Sequence, residues 1–352
     1  MPRLALVMIV RNEARCIARC LTSARPHVDA MIVLDTGSTD DTVAIARSCG
    51  ATLHHFAWCD DFAAARNAAL AHSNADWNLI LDADEWIADD ARALGPGTLP
   101  PAPAPARFVG CVRIISGSDA AAARKFIPRI LPRGVRYEGR IHEQPVSPLP
   151  KTVLPLALRH DGFEAAQLAR KAGRNEALLR AELEAHPQDS YLWFQLGREH
   201  LVRGQAGDAA DALLTAHRTG SPGDAWRHGV VVATLQALKR AARLDEALAF
   251  ADAEHGHWPR SPDFYFGVAD LYLEAASRRP DRAMQDYLPI VEGAWKRCLE
   301  IGEQPGLDGS VEGCGSWLAA QNLAMFYESL GIDDDAAFHA EMAAGMRGRL
   351  AA

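Results

Sequence analysis

Over residues 4–90 the chain alternates four strand-like runs (4–10, 30–34, 51–56 and 77–81), the third short and less apolar, with Ala-rich segments of helical periodicity. A run that is apolar at every position suits a strand covered on both faces, the condition of a parallel sheet flanked by helices. Between the runs, residues 12–23 set Ile17 and Leu21 one helical turn apart, residues 42–49 stop at Gly50, and residues 62–72 form a third helical stretch. The order βαβαβαβ predicts an α/β domain on a mostly parallel sheet. Ligands of such sheets lie beyond the carboxyl ends of the strands, so the residues after each run are the ones to read for chemistry.

Those residues are polar. Asn12-Glu13 follow the first run closely, Asp35-Thr36-Gly37-Ser38 the second, and Asp82-Ala83-Asp84-Glu85 the fourth. In extended backbone, residues two apart point the same way. Asp82 and Asp84 are therefore expected to converge on one hard divalent cation, which prefers oxygen donors and often carries substrate phosphates. A nucleoside diphosphate is the natural cargo, against the plainer reading of a solvated acidic turn. The segment around Asp35 also has the Asp-Thr-Gly of an aspartic protease. That reading fails, because such an enzyme needs two carboxylates sharing a proton, and no second Asp-Thr-Gly occurs. Ser38, Thr39 or Asp40 can cap the next helix, which leaves Asp35 unexplained.

The length of 352 residues gives material for about two or three domains. A formal net charge of −8 lacks the basic footprint of a nucleic-acid binder. Seven cysteines, an odd number without a C-x-x-C pair, fit reduced thiols and a cytoplasmic protein. The run at 4–10 is too short to span a bilayer and leads into Arg11-Asn12-Glu13 without a small-residue cleavage site.

Beyond a Pro-rich stretch at 95–105, expected to be a semi-rigid loop, an apolar run returns at 108–115. Ser, Gly and Ala then dominate 116–123, a segment expected to be mobile. Residues 124–136, with Arg124, Lys125, Arg129, Arg133 and Arg136, suggest a basic hairpin whose charges are mostly solvated, with some local attraction for phosphate or an anionic acceptor. From Gln167 onward the chain is continuously helical. Trp193, Leu196, Gly197, His200, Gly204, Ala209, Leu213, Ala216 and Pro222 follow the tetratricopeptide pattern of about 34 residues, with His200 where an aromatic is usual. Leu323, Ala324, Tyr327, Gly331, Ala336, Ala340 and Ala343 repeat it, and residues 231–259 and 265–272 are degenerate copies. Repeat packing alone accounts for these residues.

Residues 4–13 (LALVMIVRNE), 33–42 (VLDTGSTDDT), 64–69 (AARNAA) and 79–85 (LILDADE) together resemble the family 2 glycosyltransferases of the GT-A fold. Residues 139–143 (GRIHE) and 160–163 (HDGF) are similar to segments of bacterial members that carry a helical C-terminal extension. The resemblance covers about the first half of the chain. It implies a nucleotide-sugar-binding, Rossmann-like catalytic domain at 1–163, followed by an all-α tetratricopeptide-like domain at 164–352. By the same resemblance Glu13 and Asp35 would hold the ribose and base of a nucleotide-diphosphate sugar, foremost a UDP-sugar, with Asn12 beside them. Arg66 would approach the nucleotide or its phosphates. Asp82 would assist at ribose and metal, and Asp84 would bind the divalent cation, Mn2+ or Mg2+.

Inverting transfer also needs a base to take the acceptor's proton. Glu143 is the first candidate, with His142 in support and His160 at the metal or diphosphate. Tetratricopeptide-like extensions on similar enzymes, such as bacteriocin S-glycosyltransferases, imply a peptide or protein acceptor. A lipopolysaccharide-core or other saccharide acceptor is the alternative. A scaffold that binds nucleotide sugar without turnover is the reading from another class.

Overall fold

The computed structural model describes residues 3–88, 94, 99, 107–116, 124–160 and 173–351, and the chain divides into two compact units, Met1–Leu178 and Leu179–Ala352. The Pro-rich stretch apart from Leu99, residues 117–123, and Asp161-Gly162-Phe163 lie outside the described residues.

The first unit is built on an eight-stranded sheet of order β3-β2-β1-β4-β7-β6-β10-β5. Strands β1 (Leu4–Val10), β2 (Ala30–Asp35), β3 (Thr52–His55) and β4 (Trp77–Ile80) are mutually parallel, joined through helices α1 (Ile17–Ala24), α2 (Thr42–Ser48) and α3 (Phe62–Ala71). Strand β1 shows why its run is apolar throughout. Leu4, Leu6, Met8 and Val10 pack with Ile17, Cys20 and Leu21 of α1, while Ala5 and Val7 pack on the other face with Ala63 and Ala69 of α3.

Two local expectations are corrected. The first helix starts at Ile17 rather than at Asn12, whose φ of 58° is left-handed, a conformation that Asn tolerates better than most residues. Residues 12–13 instead bond across to the loop after β2. The Asn12 N–H donates to Ser38 Oγ (3.0 Å), the Thr39 N–H to Asn12 Oδ1 (2.8 Å), and the Glu13 N–H to Thr42 Oγ1 (2.7 Å). The basic segment is also not a two-stranded hairpin. Its first part is β7 (Arg124–Pro132), which enters the main sheet antiparallel to both β4 and β6 (Val109–Ser116). The chain then turns at Gly134 (φ 92°) into β8 (Arg136–Glu138), which pairs with β9 (Gln144–Val146) in a separate small sheet. Strand β10 (Lys151–His160) lies parallel to β6, and β5 (Glu85–Ile87) closes the edge antiparallel to it.

The second unit is helical: α4 (Arg174–Ala185) spans the division, followed by α5 (Ser190–Val202), α6 (Ala206–Thr219), α7 (Arg227–Arg240), α8 (Leu244–Glu254), α9 (Pro262–Arg278), α10 (Leu288–Ile301), α11 (Trp317–Ser329) and α12 (Asp333–Ala351). From α5 onward, helices adjacent in the chain pack on one another around a core that includes Phe194, Leu213, Leu235, Phe264 and Trp295. No helix among the described residues is long and apolar enough to cross a membrane. His200, in the place of the usual aromatic, is buried and its Nδ1 pairs with Gln205 Oε1 at 2.9 Å.

The repeat's small residues act through close approach. A Cβ on Gly197 would lie 2.5 Å from Leu213 Cγ and 3.3 Å from the Ala209 carbonyl oxygen. Alanine is the better helix former by about 1 kcal/mol, but forcing a methyl into a packed contact costs about 1–3 kcal/mol. Gly197→Ala is therefore expected to be net destabilising, read as a lower urea midpoint at unchanged slope. An unchanged or raised midpoint would show that α6 shifts to admit the methyl.

Candidate active site

The carboxyl ends of β1, β2 and β4 present the polar residues that follow the apolar runs, and β10 ends on the same side because it is parallel to β6, itself antiparallel to β7. Three groups of side chains form there.

The central group joins five residues from five elements. Arg66 lies in α3, where Asp61 caps the helix by accepting the Ala64 N–H at 2.8 Å. Its Nη2 donates to Asp82 Oδ1 at 2.7 Å, and its Nε makes a short ion-paired bond to Glu143 Oε1. From β7, Arg129 Nη2 donates to the other Asp82 oxygen at 2.9 Å and to Glu85 Oε1 at 2.6 Å. Glu85 in turn accepts the Asp82 N–H on Oε2 at 3.0 Å. Arg129 is 8% exposed and Glu85 3%. Burial alone would push the Asp82 carboxyl up, yet the flanking guanidiniums hold it far below the usual carboxylate range. Burial raises Glu85 above its ordinary value, and Arg129 offsets this only in part.

Glu143 reaches Arg66 because of its loop. Residues 139–143 connect β8 to β9, and His142 takes a left-handed φ of 52°, a strained choice for a non-glycine residue. Asn67, next to Arg66, clamps the start of this hairpin: its amide donates to the Tyr137 carbonyl at 2.9 Å and accepts the Tyr137 N–H at 2.8 Å. Phe62 N–H donates to the Arg140 carbonyl at 2.8 Å, so α3 and the loop are tied at two points.

The second group is a pair. Strand pairing sets His160 opposite Glu85 and brings His160 Nε2 to 3.4 Å from Asp84 Oδ2. Burial would lower the imidazole's pKa, but the bond and charge of Asp84 raise it above its ordinary value. The third group is the loop lattice around Asn12 and Glu13, with Asp35 at its base. Asp35 accepts the N–H groups of Ser38 at 3.1 Å and Gly37 at 3.2 Å, and His55 Nδ1 lies 3.5 Å from it.

Asp82 and Asp84 do not point the same way, contrary to the expectation for extended backbone. Strand β4 ends at Ile80, and Ala83-Asp84 form a turn, so the two carboxylates go to different partners. Among the described residues no three His, Cys, Asp or Glu side chains gather as a ready-made metal site. Asp84 and His160 remain as a two-donor set. That fits a cation completed by diphosphate oxygens and water rather than one held by protein alone.

Arg66, Asp82 and Glu143, each a candidate from the sequence, come together here, and they are joined by Arg129, Glu85 and Asn67, to which the sequence assigned no role. Position 129 carries the one available signal, an Arg set between Phe126-Ile127-Pro128 and Ile130-Leu131.

Residues 5–94 match the family model described as glycosyl transferase family 2. A TPR repeat-containing protein of Synechococcus elongatus is 33% identical over 262 residues, which cover 70% of this chain and 64% of that protein. The SPbeta prophage-derived glycosyltransferase SunS of Bacillus subtilis is 25% identical over 297 residues, 79% of this chain and 68% of that protein. The crystal structure of MamA matches 53% of this chain and 97% of its own at 16% identity, with a TM-score of 0.40. The chain thus spans about two thirds of the length of the two relatives.

The charge network makes a stability prediction with a pH signature. Arg129→Met strands Glu85 in the interior, and breaking a buried pair costs about 3–5 kcal/mol. Glu85 already binds its proton more tightly folded than unfolded, so the folded state gains relative to the unfolded one as pH falls. The loss should be large at pH 8 and smaller at pH 5, and adding Glu85→Gln should recover much of it. Chemical denaturation at both pH values checks this. A loss independent of pH would mean that Arg129 acts by packing alone.

Proposed function

We propose that this chain, whose N-terminal unit is a family 2 glycosyltransferase domain and whose C-terminal unit is a tetratricopeptide-like helical domain, transfers a sugar from a nucleotide-diphosphate sugar to a peptide or protein acceptor with inversion. The observation that carries the reading is the convergence of Arg66, Asp82 and Glu143 at the carboxyl edge of the sheet, beside the Asp84–His160 pair. All but Glu143 and His160 fall inside the family match.

In this reading the lattice of Asn12, Glu13 and Asp35 receives the nucleoside, because it ends β1 and β2 at the sheet edge. Asp84 and His160 would hold a divalent cation, Mg2+ or Mn2+, whose charge stabilises the departing diphosphate. Asp82 orients Arg66 rather than binding the cation directly. Glu143, with Oε1 fixed by Arg66, accepts the acceptor's proton on Oε2 as the nucleophile attacks the anomeric carbon opposite the diphosphate. His142 sets the backbone direction that aims Glu143 at α3.

The acceptor class rests on the shared two-part layout: the matches to the Synechococcus protein and to SunS cover 70% and 79% of this chain, and so extend well beyond the catalytic segment.

A panel of nucleotide sugars tested for Mn2+-dependent thermal stabilisation and slow hydrolysis identifies the donor. With that donor, Asp84→Ala is expected to abolish metal-dependent binding. Glu143→Gln should lower turnover by about two to four orders of magnitude with donor affinity retained. Full turnover in Glu143→Gln would remove it as the base, and metal-dependent binding undiminished in Asp84→Ala would remove the cation site.

A further inference from the structure

The C-terminal unit holds an open cavity of about 540 Å³ between α8, α9 and α10, within the range of about 300–1,000 Å³ typical of ligand sites. Tyr265 and Tyr272 of α9 form its aromatic wall, and Ile290 and Gly293 of α10 face them. Gly293 helps keep the space open: a Cβ there would meet no atom within 4 Å, although the position is helical and could carry a larger residue.

Charge in the lining is one-sided. Asp252 of α8 is the carboxylate of the cavity, and its polar contact is with the Tyr272 hydroxyl, which donates to Oδ1 at 3.3 Å. Among the described residues it enters no ion pair, whereas Lys296 of α10 is paired with Glu292 and lies over Tyr327, and Arg297 is paired with Glu300 and bonds the Pro259 carbonyl and the Tyr265 hydroxyl. His255 is turned edge-on to Tyr265 with ring centroids 5.8 Å apart. An uncompensated carboxylate beside two phenol rings attracts a cation, through charge and through the ring faces. The apolar remainder suits the methylene stem of a long basic side chain.

We propose that this cavity binds a lysine or arginine side chain of the polypeptide acceptor, and so selects acceptors by a basic residue apart from the sugar-accepting atom. This rests on the peptide or protein acceptor of the reading above. The cavity is open and larger than one side chain needs, so flanking peptide can lie along the groove, as extended ligands do on helical-repeat surfaces.

The test is a binding measurement on the full chain without donor or metal, so its failure is distinct from failure of the transferase reading. The probes are two fluorescent heptapeptides that differ only at the central position, lysine or norleucine, and free n-butylamine as competitor. The lysine peptide should bind at least tenfold more tightly than the norleucine peptide, and the difference should vanish in Asp252→Asn. Gly293→Leu fills the cavity while favouring the helix, and should abolish binding of the lysine peptide with the thermal midpoint maintained. n-Butylamine should compete only weakly. Equal affinity for the two peptides, or lysine-peptide binding unchanged in Gly293→Leu, would overturn the site. Competition by n-butylamine as effective as the peptide itself would overturn the polypeptide as its occupant.

Discussion

Asp82 sits between two guanidinium groups, and the arrangement of the N-terminal site follows from that. Arg66 takes one of its oxygens and Arg129 the other, while the same two arginines reach on to Glu143 and Glu85. A buried ion is tolerated only when its partners are in place. Five charged groups from α3, the end of β4, β5, β7 and the β8–β9 loop must therefore meet together. The network is a registry constraint more than a source of net stability, because desolvating so many charges cancels much of their attraction.

The constraint has a topological counterpart. Strand β7 crosses to the middle of the sheet and runs antiparallel between β4 and β6. Register pairs Leu79 with Ile130, which sets Arg129 level with Ile80, the last residue of β4, next to the turn that follows Asp82. Asn67 does the same service for the other side, fixing Tyr137 so that the loop bearing Glu143 returns to α3.

How much of this could be read from the sequence follows from the range of the interactions. The parallel strands announce themselves because burial on both faces leaves a continuous apolar run, and the repeats because close helix contact demands small residues such as Gly197 at fixed places. Arg66 was legible from its neighbours in the chain. Arg129 was not, since its partners lie 44 and 47 positions away and a segment rich in Lys and Arg looks solvated until its pairing is known. The turn after Ile80 was hidden for a related reason. Extended geometry is the default after an apolar run, but here the bonds of Asp82 and Glu85 to one another close the chain into a turn.

That turn also divides the labour of the two aspartates. Both Asp82 oxygens are bonded by guanidiniums, which hold its carboxyl far below the usual carboxylate range. Asp84, turned the other way, lies 3.4 Å from the His160 imidazole, a partner that a hard cation can replace or share. Two carboxylates with one residue between them thus point to different partners, Asp82 to Arg66 and Arg129 and Asp84 to His160. The difference comes from the backbone between them rather than from their own chemistry.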